Sequence, residues 1–169
     1  SKYSDGSFSL EDMYAYNRTH DRLDLTITDH VDKHTDWFVR YVKELKKLRK
    51  KYTQFAVRIG CEVKILDDGS LNTTEEILRA AEIKQMEPRQ LMEREYERTT
   101  LPAQKKPVDI LAHPFSMGYR LHKSNPPSEY VKEVYRLCVQ NKIKFEYNHK
   151  NAPRSVRKFV KALVEKGNL

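Results

Sequence analysis

At 169 residues, 38% apolar and 33% charged, the chain is long enough for one domain with a real core and too rich in apolar runs to be disordered. No stretch approaches the roughly 20 apolar residues of a membrane span, and Ser1–Asp12 lacks the apolar core of a secretory signal, so a soluble cytoplasmic protein is expected. The net charge of +8 leaves affinity for nucleic acid open without favouring it, because the lysines of "KELKKLRKKY" (43–52) and "RSVRKFVKALVEK" (154–166) also read as the solvated faces of amphipathic helices.

In chain order, "SLEDMYAYNRTHD" (9–21) reads as a helix opened by a loose capping box, Ser9 with Asp12 three residues on. "LDLTIT" (23–28) is a short strand. Phe38, Tyr41, Val42, Leu45, Leu48 and Tyr52 recur at helical spacing through 35–52. "FAVRIGCEV" (55–63) is a strand and "DDGS" (67–70) a turn. From Thr74 to about Arg98 the Glu, Arg, Leu and Met content predicts helix, interrupted at Pro88. "VDILAH" (108–113) is a strand, 128–141 a helix, "KIKFEYN" (142–148) a strand, and 153–167 a helix with proline at its start and glycine at its end. Strands separated by helices predict an α/β domain with parallel pairing. Cys61 and Cys138, both in apolar runs, read as buried reduced thiols.

Polar residues gather at the predicted strand tips, which share one face in a parallel α/β protein. "LDLTITDH" ends in Asp29 and His30, "RIGCEV" carries Glu62, "VDILAH" ends in His113 before Pro114, and "FEYNH" has Glu146, Asn148 and His149. "YSDG" presents Asp5 in a loop. Taken singly, Asp29 could be a cap, His30 a surface residue, Glu62 a lysine partner and His113 a satisfied core histidine. Together Asp5, His30, Glu62 and His113 make a mixed oxygen and nitrogen donor set, suited to zinc, manganese or iron rather than magnesium or calcium. His20 and His122 read as surface residues, and His34 stays open.

In order, "YSDGSFSLEDM", "TITDH", "GCEV", "LAHP" and "FEYN" resemble the PHP superfamily (polymerase and histidinol phosphatase domains), nearest in appearance to its histidinol phosphatase-like phosphoesterases. The resemblance implies a distorted (β/α)7-type barrel with two or three metal ions (Zn, Mn or Fe) at the strand C-termini. The implied activity is hydrolysis of a small phosphomonoester, the alternatives being a PHP-type nuclease or a metal-free binding domain. By position it makes Asp5 and His30 ligands of one ion, Glu62 a bridge between two, His113 a ligand of another, and Asp29 a hydrogen-bonding support. Arg120 and Lys123 are the nearest cations for substrate phosphate. Residues 1–169 then form a single PHP-like domain in which the family's first strand (His-x-His), a middle histidine-bearing strand after "ILRAAE" and the last strand (Asp-x-His) are not found. Omission of those segments from the given sequence is the expectation, loss of the metals the alternative.

Overall fold

The segment 38–51 buries Phe38, Tyr41, Val42, Leu45 and Leu48, the apolar stripe that its helical spacing predicts. In the computed structural model, which describes residues 1–20, 24–53, 56–66, 68–88, 108–116, 125–148, 150 and 152–165, the chain is α/β. The elements run α1 (Leu10–Thr19), β1 (Asp24–Val31), α2 (Phe38–Lys51), β2 (Ala56–Ile65), α3 (Glu75–Ala80), β3 (Ile83–Pro88), β4 (Ile110–Leu111), α4 (Ser128–Gln140), β5 (Lys144–Phe145) and α5 (Arg154–Glu165). The five strands lie in the sheet in chain order, β1-β2-β3-β4-β5. Pairing is parallel, with Asp24 opposite Ala56 through Val31 opposite Val63, and Ile110 opposite Lys144. Parallel neighbours require a crossover, which α2 supplies between β1 and β2 and α4 between β4 and β5.

The stretch predicted as helix from Thr74 to about Arg98 is corrected. Thr74 caps a helix of only six residues, Ala81 is already extended, and a strand follows at once. A strand therefore follows "ILRAAE" where helix was predicted, though without the histidine looked for there; residues 89–100 lie outside the described residues. Two further strands are shorter than read, regular pairing being confined to Ile110 and Leu111 in the one and to Lys144 and Phe145 in the other.

The chain divides into two compact units, with β2 and β3 each running through both. The first comprises Ser1–Val63 and Asn72–Gln85. In it α2 buries Phe38, Tyr41, Val42, Leu45 and Leu48. The fully buried Tyr41 donates its hydroxyl to the Ile27 carbonyl at 2.6 Å, pinning α2 to β1. Gly60 allows β2 to lie against β1, because a Cβ there would stand 2.4 Å from Thr28 Cγ2. Glu82, just before β3, takes both guanidinium ends of Arg49 from α2 and the Ile59 N–H from β2.

The second unit comprises Lys64–Leu71 and Met86–Leu169. Its core gathers Ile65, Met86, Leu111, Phe115, Val131, Val134 and Val156. Cys138, also buried there, has its thiol pushed up to about 12 by burial, in keeping with an inert packing role; it and Cys61 are both free thiols. The end of α4 is closed by a Schellman-type turn, Ile143 N–H donating to Cys138 O and Lys142 N–H to Val139 O, with Lys142 left-handed at φ 57°. No helix among the described residues is long and apolar enough to cross a membrane.

Candidate metal-binding groups

In the first unit the site is built on the tips of β1 and β2 and on the loop that precedes α1. Capping fixes where that loop ends: Ser9 and Asp12 form the full reciprocal capping box. Before it the chain turns back on itself, the Gly6 N–H donating to the Ser1 carbonyl at 2.9 Å. A Cβ on Gly6 would stand 2.7 Å from the Ser1 nitrogen, so "DG" is a packing requirement that sets Asp5 in place. Asp29 holds the same loop from the other side. Its buried carboxylate accepts from the Ser1 nitrogen, from Ser1 Oγ at 2.6 Å and from Ser4 Oγ at 2.8 Å. Ser4 Oγ also lies 3.1 Å from Asp5 Oδ1. Asp29 thus supports the Asp5 loop.

Asp5 Oδ2 stands 3.5 Å from His30 Nε2. Partial burial opposes ionisation of Asp5, but the Ser4 hydroxyl and the neighbouring His30 outweigh it and hold the carboxyl below the usual aspartate range. His30 lies opposite Glu62 in the parallel register, so both side chains leave the same face of neighbouring strands, and they offer ligand atoms within 4.8 Å of each other. His30 Nδ1 is buried with no hydrogen-bond partner among the described residues. Elsewhere in this unit the backbone N–H of His34 donates to Asp32, and the His20 ring stacks on Tyr16 at 3.9 Å.

In the second unit the centre is His113. It lies two residues past the end of β4 with φ at 22°, in a turn closed by Ser116 N–H to its own carbonyl. Its backbone N–H and its Nδ1 lie 3.0 and 3.1 Å from one oxygen of Glu146, Oε2. Its Nε2 lies 3.3 Å from Glu87 Oε1. Glu87, near the end of β3, has a side chain only 11% exposed.

A neutral imidazole has one donor nitrogen and one lone pair, so it cannot donate to carboxylates on both sides. A cation shared by Nε2 and Glu87 resolves the conflict, as does an added proton, carried either by the imidazole or by the Glu87 carboxyl. Ligand atoms about 2.0–2.1 Å from one ion stand roughly 2.8–3.0 Å apart at octahedral angles and roughly 3.3–3.4 Å apart at tetrahedral ones. The 3.3 Å of His113 and Glu87 fits the tetrahedral edge, as does, nearly, the 3.5 Å of His30 and Asp5. Both are long for a charge-assisted hydrogen bond, usually about 2.7–2.9 Å. The shorter Nδ1–Glu146 contact matches the carboxylate that orients a ligating histidine through its other nitrogen. On these grounds the residues of each unit fit a divalent ion of the transition series.

In one unit, therefore, His30 stands beside Asp5 and within reach of Glu62, and in the other His113 stands between two carboxylates. Glu146 was noted in the sequence without a role, and Glu87 was missed within the predicted helix. "MEP" carries the same signal as "AHP", a polar residue placed before proline at a strand tip. Arg120, Lys123, His122 and His149 lie outside the described residues. No family model matches the chain, and comparison with curated proteins finds no match.

Proposed function

We propose that the chain is a metal-dependent phosphoesterase of the PHP type, hydrolysing a small phosphomonoester with two or three zinc, manganese or iron ions, and that its sheet belongs to a distorted (β/α)7-type barrel in a cytoplasmic protein. The observation that carries the reading is the His113 imidazole set between Glu87 and Glu146 at spacings suited to a ligand and its orienting partner. When bound, the ions would neutralise phosphate oxygens and lower the pKa of the attacking water. His113 offers Nε2 while Glu146 fixes the tautomer through Nδ1. Asp5 and His30 offer a second pair, held in place through Asp29 and Ser4. Glu62, opposite His30 on the neighbouring strand, offers a further carboxylate beside that histidine, in the role of a bridge between two ions that the resemblance implies.

The test is elemental analysis of the full chain purified without chelator, with p-nitrophenyl phosphate hydrolysis measured on the same sample. Two or three equivalents of zinc, manganese or iron with turnover is the expected result. Neither metal nor turnover after reconstitution would overturn the reading. Metal with cleavage of phosphodiesters only would replace the phosphatase with a nuclease.

A further inference from the structure

Helix α2 carries more positive charge than its fold requires. Seven of its fourteen residues are Lys or Arg, against one acid, Glu44. Three of the charged groups are accounted for by contacts. Arg49 forms the paired contact with Glu82, Lys51 donates to Glu11 at 2.7 Å, and Glu44 accepts the Tyr3 hydroxyl at 2.6 Å. The other five cations, Arg40, Lys43, Lys46, Lys47 and Lys50, are all exposed. Among the described residues none of them forms an ion pair.

Their placement is not the one that stabilises a helix. Lys50 sits in the last turn, where the helix dipole favours cations, but Arg40 and Lys43 lie in the first half, where it does not. Lys43 with Lys46 and Lys47, and Lys50 with Lys46 and Lys47, are like charges three or four residues apart, an arrangement that destabilises a helix. Because Phe38, Tyr41, Val42, Leu45 and Leu48 occupy the opposite side, the five cations share one outer face. Arg40 to Lys50 spans about 15 Å at about 1.5 Å per residue.

We infer that this outer face of α2 binds the phosphate backbone of a nucleic acid duplex, without regard to base sequence. Duplex DNA carries about one negative charge per 1.7 Å of its axis, so a stripe of this length lies within reach of several phosphates at once. The stripe has no interleaved aromatic ring on which bases could stack, which removes the main device that selects single strands. Side chains of this kind position a protein on phosphates and read no bases. A membrane surface is the less suitable occupant, because an interfacial helix needs a free apolar face and that of α2 is spent in the core.

The experiment is fluorescence anisotropy of a labelled 20-base-pair duplex across a salt series, on the full chain and two charge-reversed variants. One variant combines Lys43→Glu, Lys47→Glu and Lys50→Glu. The other combines Arg157→Glu, Lys158→Glu and Lys161→Glu on α5, exposed residues of the other unit that change net charge equally. The α2 variant should bind at least about tenfold more weakly, with a salt slope lower by about three, roughly one per contact removed. The α5 variant should keep most of the affinity and slope. Circular dichroism establishes folding, and the triple Lys→Gln variant replaces the α2 reversal if that one does not fold. Absence of duplex binding, or equal loss in both variants, overturns the inference. So does binding to vesicles containing phosphatidylserine without binding to duplex. The readout is affinity, so it stands or falls apart from the phosphoesterase reading.

Discussion

Glu146→Gln tests the orienting role at its narrowest point. The amide keeps the size of the carboxylate, and its oxygen can still accept the His113 backbone N–H, now 3.0 Å from Glu146 Oε2. What is lost is the negative charge facing Nδ1 at 3.1 Å. Replacing such a partner of a ligating histidine typically weakens metal binding by about 10–100-fold, which is roughly 1.4–2.7 kcal/mol. With Glu146 about one third exposed, the lower half of that range is the better expectation, since water can replace part of the lost contact. Competition for zinc against a chromophoric chelator at neutral pH measures the change directly. The thermal midpoint of the metal-free variant should move little, because the backbone contact survives. Unchanged zinc affinity would refute the argument, leaving His113 held between two carboxylates by an added proton with no ion. Nitrogen-15 NMR of the His113 ring separates the cases independently: zinc should shift Nε2 in the first and leave it unmoved in the second.

Gly60→Ala should destabilise the first unit by about 1–3 kcal/mol in urea unfolding, as expected of an overpacked core. Adding Thr28→Ser should restore only part of this, because the new Cβ would still lie 2.9 Å from the Ile27 carbonyl oxygen. Lys142→Gly should raise stability by about 1 kcal/mol, since glycine takes the left-handed end of α4 without strain; a loss would mean that the lysine makes a compensating contact. Glu82→Gln should cost about 0.5–1 kcal/mol at neutral pH. The Arg49 guanidinium, together with the Ile59 N–H and against the effect of burial, holds the Glu82 carboxyl below its ordinary 4.5. A depressed carboxyl contributes stability above its unfolded value and loses it as pH falls through the folded one, so the gap between this variant and its parent should close below about pH 4.5 in parallel melts. A gap that persists in acid would place the effect in packing.

How far the sequence reveals this molecule depends on the range of the interaction. The capping box of Ser9 and Asp12 and the apolar stripe of α2 are local and were legible in the sequence. So was the placement of "TDH" and "GCE" near strand tips, because a strand tip announces itself by a polar residue after a branched apolar run. The stretch from Ala81 to Pro88 was misread for a local reason: "AEIKQMEPRQLMEREYER" is rich in helix formers, and Ile83 and Met86 stand three apart, a helical spacing with no period-two alternation to oppose it. Tertiary partners decide the matter, since Glu82 is held by Arg49 and Ile59, and Ala112 N–H donates to Met86 O. That misreading hid Glu87. The meeting of His113 with Glu146 was beyond sequence logic, for it depends on a 33-residue return that aligns β5 beside β4.

Asp29 and His30 are consecutive in an extended strand, so they face opposite ways, one inward to Ser1 and Ser4 and the other beside Asp5. The two roles are therefore locked in antiphase. Loss or gain of a single residue within β1 would send the imidazole toward the anchoring serines and the carboxylate toward Asp5, exchanging attraction for repulsion. The tip of β1 can diverge by substitution at either position, but its length is a quantised variable: variation there must come in pairs of residues or leave the tip without its loop.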